Sequence, residues 1–266
     1  MPPSTGIEEA SPYFVQVFGV MRRSFNGLVR PPSSPLRAEA ASRTRRQAVW
    51  LFAVGAVAVA GLMVFVDAWE IGLMPPRGTA SLWPARILTD FAKDEYVLGA
   101  LLLALVIVAL VIPRSLENLR SRWLGLGTQI EYLFLAVLIP VLTGELIKWV
   151  VGRGRPFVGG KANAFNFVPF NGTEAHFSLP SAHSITAFAL AFAVSALWPR
   201  TRVVMFVYAI VILLTRLLLL AHHPSDVVAG AVIGVVGAMA VRYWFAVRRL
   251  GFAVSGGGEI VPLSRH

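Results

Sequence analysis

The stretch VVMFVYAIVILLTRLLLLAHHPSDVV, residues 203–228, decides the fold. From Val203 to Ala221 it is almost wholly apolar. A helix needs roughly 20 such residues to cross the hydrocarbon core of a bilayer. In lipid such a segment must be helical, because no exposed strand edge could satisfy its backbone groups. Arg216 interrupts the run near its end, and a cation there is costly and marks a functional position. The run stops at His222-His223. Pro224 suits the first turn of a following helix, which puts Asp226 in that turn.

Working outward, five more apolar runs are legible: Ala48–Trp69, Tyr96–Ile112, Leu124–Ile147, Leu179–Trp198 and Val227–Val247. Of the 266 residues, 56% are hydrophobic and 14% charged, too little charge for a soluble domain of this size. The expected fold is all-α, a polytopic bundle of six transmembrane helices over residues 47–249 with its active site at the outer membrane surface. Residues 1–46, rich in Pro, Ser and Arg, are expected to form a basic, mostly disordered cytoplasmic tail, in which Tyr13–Met21 reads either as a short interfacial helix or as part of that tail. No cleavable leader is expected, since the first long apolar run starts deep in the chain. Residues 250–266 read as a short C-terminal tail.

Charge gives the orientation. With both termini in the cytoplasm, the inner side holds seven arginines before residue 47, three between Arg114 and Arg122, Arg200 and Arg202, and four near the C-terminus, against eight basic residues outside. The positive-inside rule favours that arrangement. The net charge of +10 is spread among apolar spans, which points to anionic lipid headgroups and away from nucleic acid. The chain has no cysteine, so thiolate nucleophiles and thiolate-ligated metals are excluded.

Three stretches share one chemistry: Lys148 to Pro156, Pro180-Ser181-Ala182-His183, and Arg216 with His222 and Asp226. Each falls at the end of an apolar run, and in the six-span layout all three face the outer side. Together they offer fixed cations, a small hydroxyl, imidazoles and a carboxylate. Phosphoryl transfer needs charge neutralisation, an in-line nucleophile and a proton for the leaving oxygen. Lys148, Arg155 and Arg216 could surround one phosphate, and Ser181 with the amides at the start of the fourth span would add hydrogen bonds. Asp226 can hold the His222 imidazole in one tautomer, and His183 can serve as acid and base.

These residues resemble the type 2 phosphatidic acid phosphatase family, which shares its site with vanadium haloperoxidases and bacterial class A acid phosphatases. The family pattern is Lys, six residues, Arg-Pro; then Pro-Ser-Gly-His; then Ser-Arg, five residues, His, three residues, Asp. Lys148, Arg155-Pro156, Arg216, His222 and Asp226 fall at the required spacing, while Ala182 replaces the glycine and Thr215 the serine. The resemblance implies His222 as nucleophile oriented by Asp226, His183 as acid/base, and Lys148, Arg155, Ser181, the Ala182 amide and Arg216 as phosphate ligands. It implies no cofactor and no metal. It implies a membrane lipid phosphate as substrate, cleaved through a phosphohistidine in a bacterial-type inner membrane with the site facing the periplasm. Among substrates an isoprenoid diphosphate is favoured, with phosphatidylglycerol phosphate, phosphatidic acid and lipid A as alternatives.

Other readings stay open. His222-His223 with Asp226 reads as a metal site, disfavoured because the adjacent arginines repel a cation. A binding or transport protein would keep the cations without needing a poised nucleophile, and vanadate-dependent oxidation is a third possibility. Arg153, off the motif positions, reads as a loop charge near the headgroups. His223 reads as lining the pocket or facing the interface, and His176 as a loop histidine. Glu145 is expected to answer Lys148. Gly230, Gly234 and Gly237 are spaced for close helix packing. The run from Phe165 to Phe170 lies at headgroup depth, lines a lipid entrance or packs on the bundle.

Overall fold

The computed structural model describes residues 12–156, 158–159 and 162–263. Residues 1–11 and 264–266 of the two expected tails, and Phe157, Gly160 and Lys161 of the loop, lie outside the described residues. The rest is mostly helical. In chain order the helices are α1 (Tyr13–Val29), α2 (Arg37–Phe65), α3 (Asp67–Leu73), α4 (Trp83–Asp90), α5 (Asp94–Val111), α6 (Glu117–Val151), α7 (Ala182–Leu197), α8 (Arg202–Leu218) and α9 (Pro224–Val247). Strands β1 (Phe252–Val254) and β2 (Ile260–Pro262) then pair as an antiparallel hairpin.

Among the described residues, five helical stretches are long and apolar enough to cross a membrane: α2, Ala80–Arg114 (which contains α4 and α5), α6, the segment Pro199–Leu218 ending in α8, and α9. The sixth expected span, α7, has only 16 residues. At about 1.5 Å per residue that is roughly 24 Å, short of the ~30 Å of hydrocarbon. Its position explains why it can be short. It lies at the centre of the bundle, packed by α6, α8 and α9, and many of its residues are buried. The lipid-facing helices are the opposite case, with Val54, Val57, Phe206 and Leu103 all more than half exposed.

The core is built where α6, α7 and α9 meet. Tyr132 stands edge-on to Phe245 and to Phe252 of β1, with ring centroids 5.3 and 4.8 Å apart. Ile185, Ala189 and Ala193 of α7 pack between Val137 of α6 and Ala238 of α9. The small residues let these backbones approach closely. A Cβ on Gly234 would stand 2.4 Å from the Ile185 carbonyl oxygen, one on Gly230 2.6 Å from that of Ser181, and one on Gly237 2.6 Å from the Pro140 ring. The close-packing expectation for these three glycines therefore holds: Gly230 and Gly234 fix α9 against the start of α7, and Gly237 fixes it against α6.

The N-terminal segment corrects the sequence reading. Where a mostly disordered tail was expected, α1 runs from Tyr13 to Val29 and α2 begins at Arg37. Tyr13 donates its hydroxyl to the Leu110 carbonyl at 2.7 Å, and Trp244 donates to the Leu28 carbonyl at 3.0 Å. Helix α1 thus crosses the ends of α5 and α9, with Phe14, Phe18 and Phe25 turned outward.

A side chain at Gly234 would have to displace backbone, so Gly234→Leu should cost about 3 kcal/mol. That corresponds to a fall of roughly 6–12 °C in the melting temperature in detergent. Gly61, with nothing within 4 Å of its would-be Cβ, is the control. Gly61→Leu should leave the melting temperature within about 2 °C of wild type.

Candidate active site

All three motif stretches lie at one end of the bundle. Helix α6 ends at Gly152, which adopts φ 58°, and a Cβ there would stand 1.9 Å from the Val168 carbonyl oxygen. The chain then runs on beside the long loop. Gly154 N–H donates to Asn166 O (2.8 Å), Val168 N–H to Gly152 O (2.8 Å), Arg155 N–H to Ala175 O (2.9 Å) and Ser178 N–H to Arg153 O (3.0 Å). These bonds strap residues 162–178 across the bundle end. The aromatic run of that strap is partly exposed and partly packed. Phe170 stands edge-on to Trp149 at 4.9 Å, while Phe165 is 57% exposed.

Arg153 is fully buried, which overturns its reading as a headgroup-facing loop charge. Its Nη1 donates to Asp226 Oδ1 and Ser225 Oγ, both at 2.6 Å. Its Nη2 donates to Asp67 Oδ2 at 2.8 Å and to the Ala164 carbonyl at 2.7 Å, and Nε reaches the same carbonyl at 3.1 Å. Those five bonds match the five donors of a guanidinium. Asp67, at the start of α3, is itself fully buried and also accepts from Ser225 N–H (3.0 Å) and Ser225 Oγ (2.5 Å). One cation therefore joins the end of the first span to the first turn of α9. Asp67 went unnoticed in the sequence, although a carboxylate within the apolar run Ala48–Trp69 was a usable signal.

Asp226 sits in the first turn of α9 behind Pro224, as expected. Besides Arg153, its carboxylate accepts from Ser178 Oγ at 2.5 Å and His223 N–H at 2.9 Å, and its carbonyl accepts from Ser181 N–H at 3.0 Å. Its expected role toward His222 needs correcting. His222 Nδ1 lies 2.8 Å from the Ser178 carbonyl and 3.9 Å from Asp226 Oδ2. A carbonyl can only accept, so Nδ1 carries the proton and Nε2 keeps its lone pair. Ser178 sets the tautomer, and Asp226 in turn holds Ser178 and the start of α9. His223 is fully buried at the α9 N-cap and does not face an interface.

Burial pushes the His222 pKa well below the usual histidine range, and the charges of Arg216, Arg155 and Lys148 push the same way. The imidazole is therefore neutral at pH 7, with these cations near enough to disfavour its charged form. Lys148 is buried and pairs with Glu145, as the sequence suggested. Arg216 is buried, and its Nη1 donates to Thr89 Oγ1 of α4 at 2.8 Å, a partner sequence reasoning missed. Thr215 spends its hydroxyl on the Ile212 carbonyl (2.6 Å), so the serine-to-threonine change does not reach the cations. Ser181 caps α7 just before Ala182. Its Oγ, His183 Nε2, Arg155 Nε and Arg216 Nε are buried without a partner among the described residues. Donors of this kind at a helix N-terminus suit an anion.

Glu70 adds a pH-sensitive element beside the network. It is 5% exposed, neither carboxyl oxygen has a hydrogen-bond partner, and burial with help from Asp67 and Asp226 raises its pKa to about 7. The unfolded value is about 4.3. Between these pH values the folded state holds a proton the unfolded state has lost, so this contribution to stability declines as pH rises from about 4.5 through 7. Glu70→Gln should therefore raise the melting temperature at pH 8, with the gain vanishing near pH 4.5. An equal gain at both pH values would show that Glu70 ionisation is not the cause.

Residues 130–250 match the family model described as the PAP2 superfamily. Two curated relatives are each 39% identical over 118 residues, which is 44% of this chain. They are the lipid A 1-phosphatases of Rhizobium johnstonii and Rhizobium etli, with 46% and 49% of their own lengths covered. The chain thus spans about half the length of the curated relatives it matches. No solved structure matches it. The matched region contains Lys148, Arg155, Ser181, His183, Arg216, His222 and Asp226, and over residues 130–250 the chain is similar to the PAP2 superfamily.

Proposed function

We propose that this protein is an integral membrane lipid phosphatase that transfers phosphate to His222 and then to water. The observation that carries the reading is the neutral, tautomer-fixed His222 set among Lys148, Arg155 and Arg216. A protein that merely binds phosphate needs the cations but not a nucleophile with its lone pair directed by a backbone carbonyl.

The steps follow from the groups present. The cations and Ser181 hold the phosphate oxygens and neutralise charge that develops on them. His222 Nε2 attacks phosphorus as the bond to the lipid oxygen breaks, and His183 gives that oxygen its proton. Its N–H retained by the Ser178 carbonyl, the imidazole carries the phosphoryl group as phosphohistidine. Water then attacks phosphorus, His183 takes the water's proton, and inorganic phosphate leaves as the N–P bond breaks. Three fixed cations fill the electrostatic role that magnesium has in kinases, so no metal is required.

For the substrate, both relatives are named for the 1-phosphate of lipid A. That favours a lipid A-type phosphate monoester over the isoprenoid diphosphate expected from sequence, since the motifs recognise phosphate and do not rank lipids. A bundle end that holds the site at the level of the helix termini suits a substrate whose chains remain in the bilayer. We further place α7 as a sixth, internal crossing, with the arginine-rich end in the cytoplasm and the site at the periplasmic face of an inner membrane. The distribution of basic residues supports this orientation.

Phosphate release from lipid A, isoprenoid diphosphate, phosphatidylglycerol phosphate and phosphatidic acid in mixed micelles tests the reading. Wild type should release phosphate fastest from lipid A and retain its rate in EDTA. His222→Ala should lose at least about 10³-fold. A phosphohistidine should appear in rapidly quenched wild type and be missing from the variant. Equal rates for wild type and His222→Ala would remove the assigned nucleophile, and loss of activity in EDTA would remove metal independence.

A further inference from the structure

At the end of the bundle remote from His222, helix α8 leans on α7 and barely touches α9. Two clefts of about 440 and 580 Å³ open there, sharing Phe192 of α7 with Val235 and Arg242 of α9. Phe206 of α8 walls one and Trp50 of α2 the other, and both side chains are more than 60% exposed on the lipid-facing surface. The lining is apolar except at one end, where Arg202, Arg242 and Arg46 converge from three helices. The Arg242 guanidinium lies 4.9 Å from the centre of the Phe192 ring, and its Nε is buried with no partner among the described residues. The charged groups around Arg242 are Arg202, Arg43 and Glu259, so the cations outnumber the one acid.

We propose that this paired cleft binds an anionic glycerophospholipid of the leaflet opposite the phosphate site. Its phosphate would sit on Arg242 and Arg202, with an acyl chain lying over Phe192 and Val235. The observations fit that occupant in three ways. The walls are exposed apolar side chains, Phe206 and Trp50, on stretches long and apolar enough to cross a membrane, so a chain can enter sideways. The volume lies in the range of small-molecule sites. The cations sit at the end of the membrane-spanning helices, where a headgroup would lie. Arg242 is sixteen residues beyond Asp226 on α9, about 24 Å at helical rise, so this lipid is not the phosphatase substrate.

The test uses the full-length protein in detergent, titrated with phosphatidylglycerol or with phosphatidylcholine, with bound lipid read by native mass spectrometry. Wild type should bind phosphatidylglycerol at least tenfold more tightly. An arginine near an anionic headgroup is worth about fivefold. Arg202→Gln should therefore lose about fivefold, and Arg202→Gln with Arg242→Gln about 30-fold. Ala196→Trp, which fills the cleft and leaves the arginines in place, should abolish tight binding. Unchanged melting of lipid-free Arg202→Gln, a substitution at an exposed helix start, separates a lost ligand from a lost fold. Equal affinity for the two lipids would overturn the proposal, as would a phosphatidylglycerol preference that survives both Arg202→Gln and Ala196→Trp. A lipid-free dimer that these substitutions dissociate would also overturn it, by assigning the cleft to a second copy.

Discussion

A fully buried guanidinium between two fully buried carboxylates holds the candidate-site end of this bundle together. Arg153 leaves α6 just past its glycine cap and takes Asp67 on one side and Asp226 on the other. Taking three charges out of water is expensive, and only complete hydrogen bonding offsets it. Here every donor of Arg153 is used, and the two carboxylates are further satisfied by Ser225, Ser178 and the His223 amide. Removing one partner would strand a buried charge, which typically costs about 3–5 kcal/mol. The arrangement therefore has few alternatives, and it fixes the start of α9 and the Ser178 carbonyl together.

From that constraint the chemistry follows in short steps. Asp226 positions Ser178, the Ser178 carbonyl positions the Nδ1 proton of His222, and Nε2 is left as the free base. Burial and three neighbouring cations keep the imidazole neutral. The same cations cannot neutralise one another, and Arg155, Arg216, Ser181 and His183 each keep a buried polar atom without a protein partner. A bound anion would satisfy these atoms. The close approach of Gly230 and Gly234 to Ser181 and Ile185 fixes the first half of α9 against the start of α7.

Much of this was legible in the sequence, and the failures have physical causes. Apolar runs located α2, α5, α6, α8 and α9, because the bilayer imposes length and composition directly. Helix α7 was also found, but its length was overread: at the bundle centre it is answerable to protein neighbours and not to hydrocarbon thickness. The motif spacing located the polar residues that the structure gathers at one bundle end, and Pro224 correctly opened α9. Arg153 was misread because its partners are 73 and 86 residues away, and no periodicity links them. Thr89 escaped for the same reason. Helix α1 was half seen, since its packing rests on Tyr13 and Leu28 meeting distant carbonyls.

The most direct measurement is the rate of lipid phosphate hydrolysis by Asp67→Asn, set beside its melting temperature. Asp67 lies outside residues 130–250 and outside every motif, and it reaches the start of α9 through Arg153 and through Ser225. The expected result is a protein that still inserts and folds but melts lower and turns over at least tenfold more slowly, with KM little changed. Wild-type turnover and melting in Asp67→Asn would contradict the bridge as the element that positions the proposed nucleophile, His222.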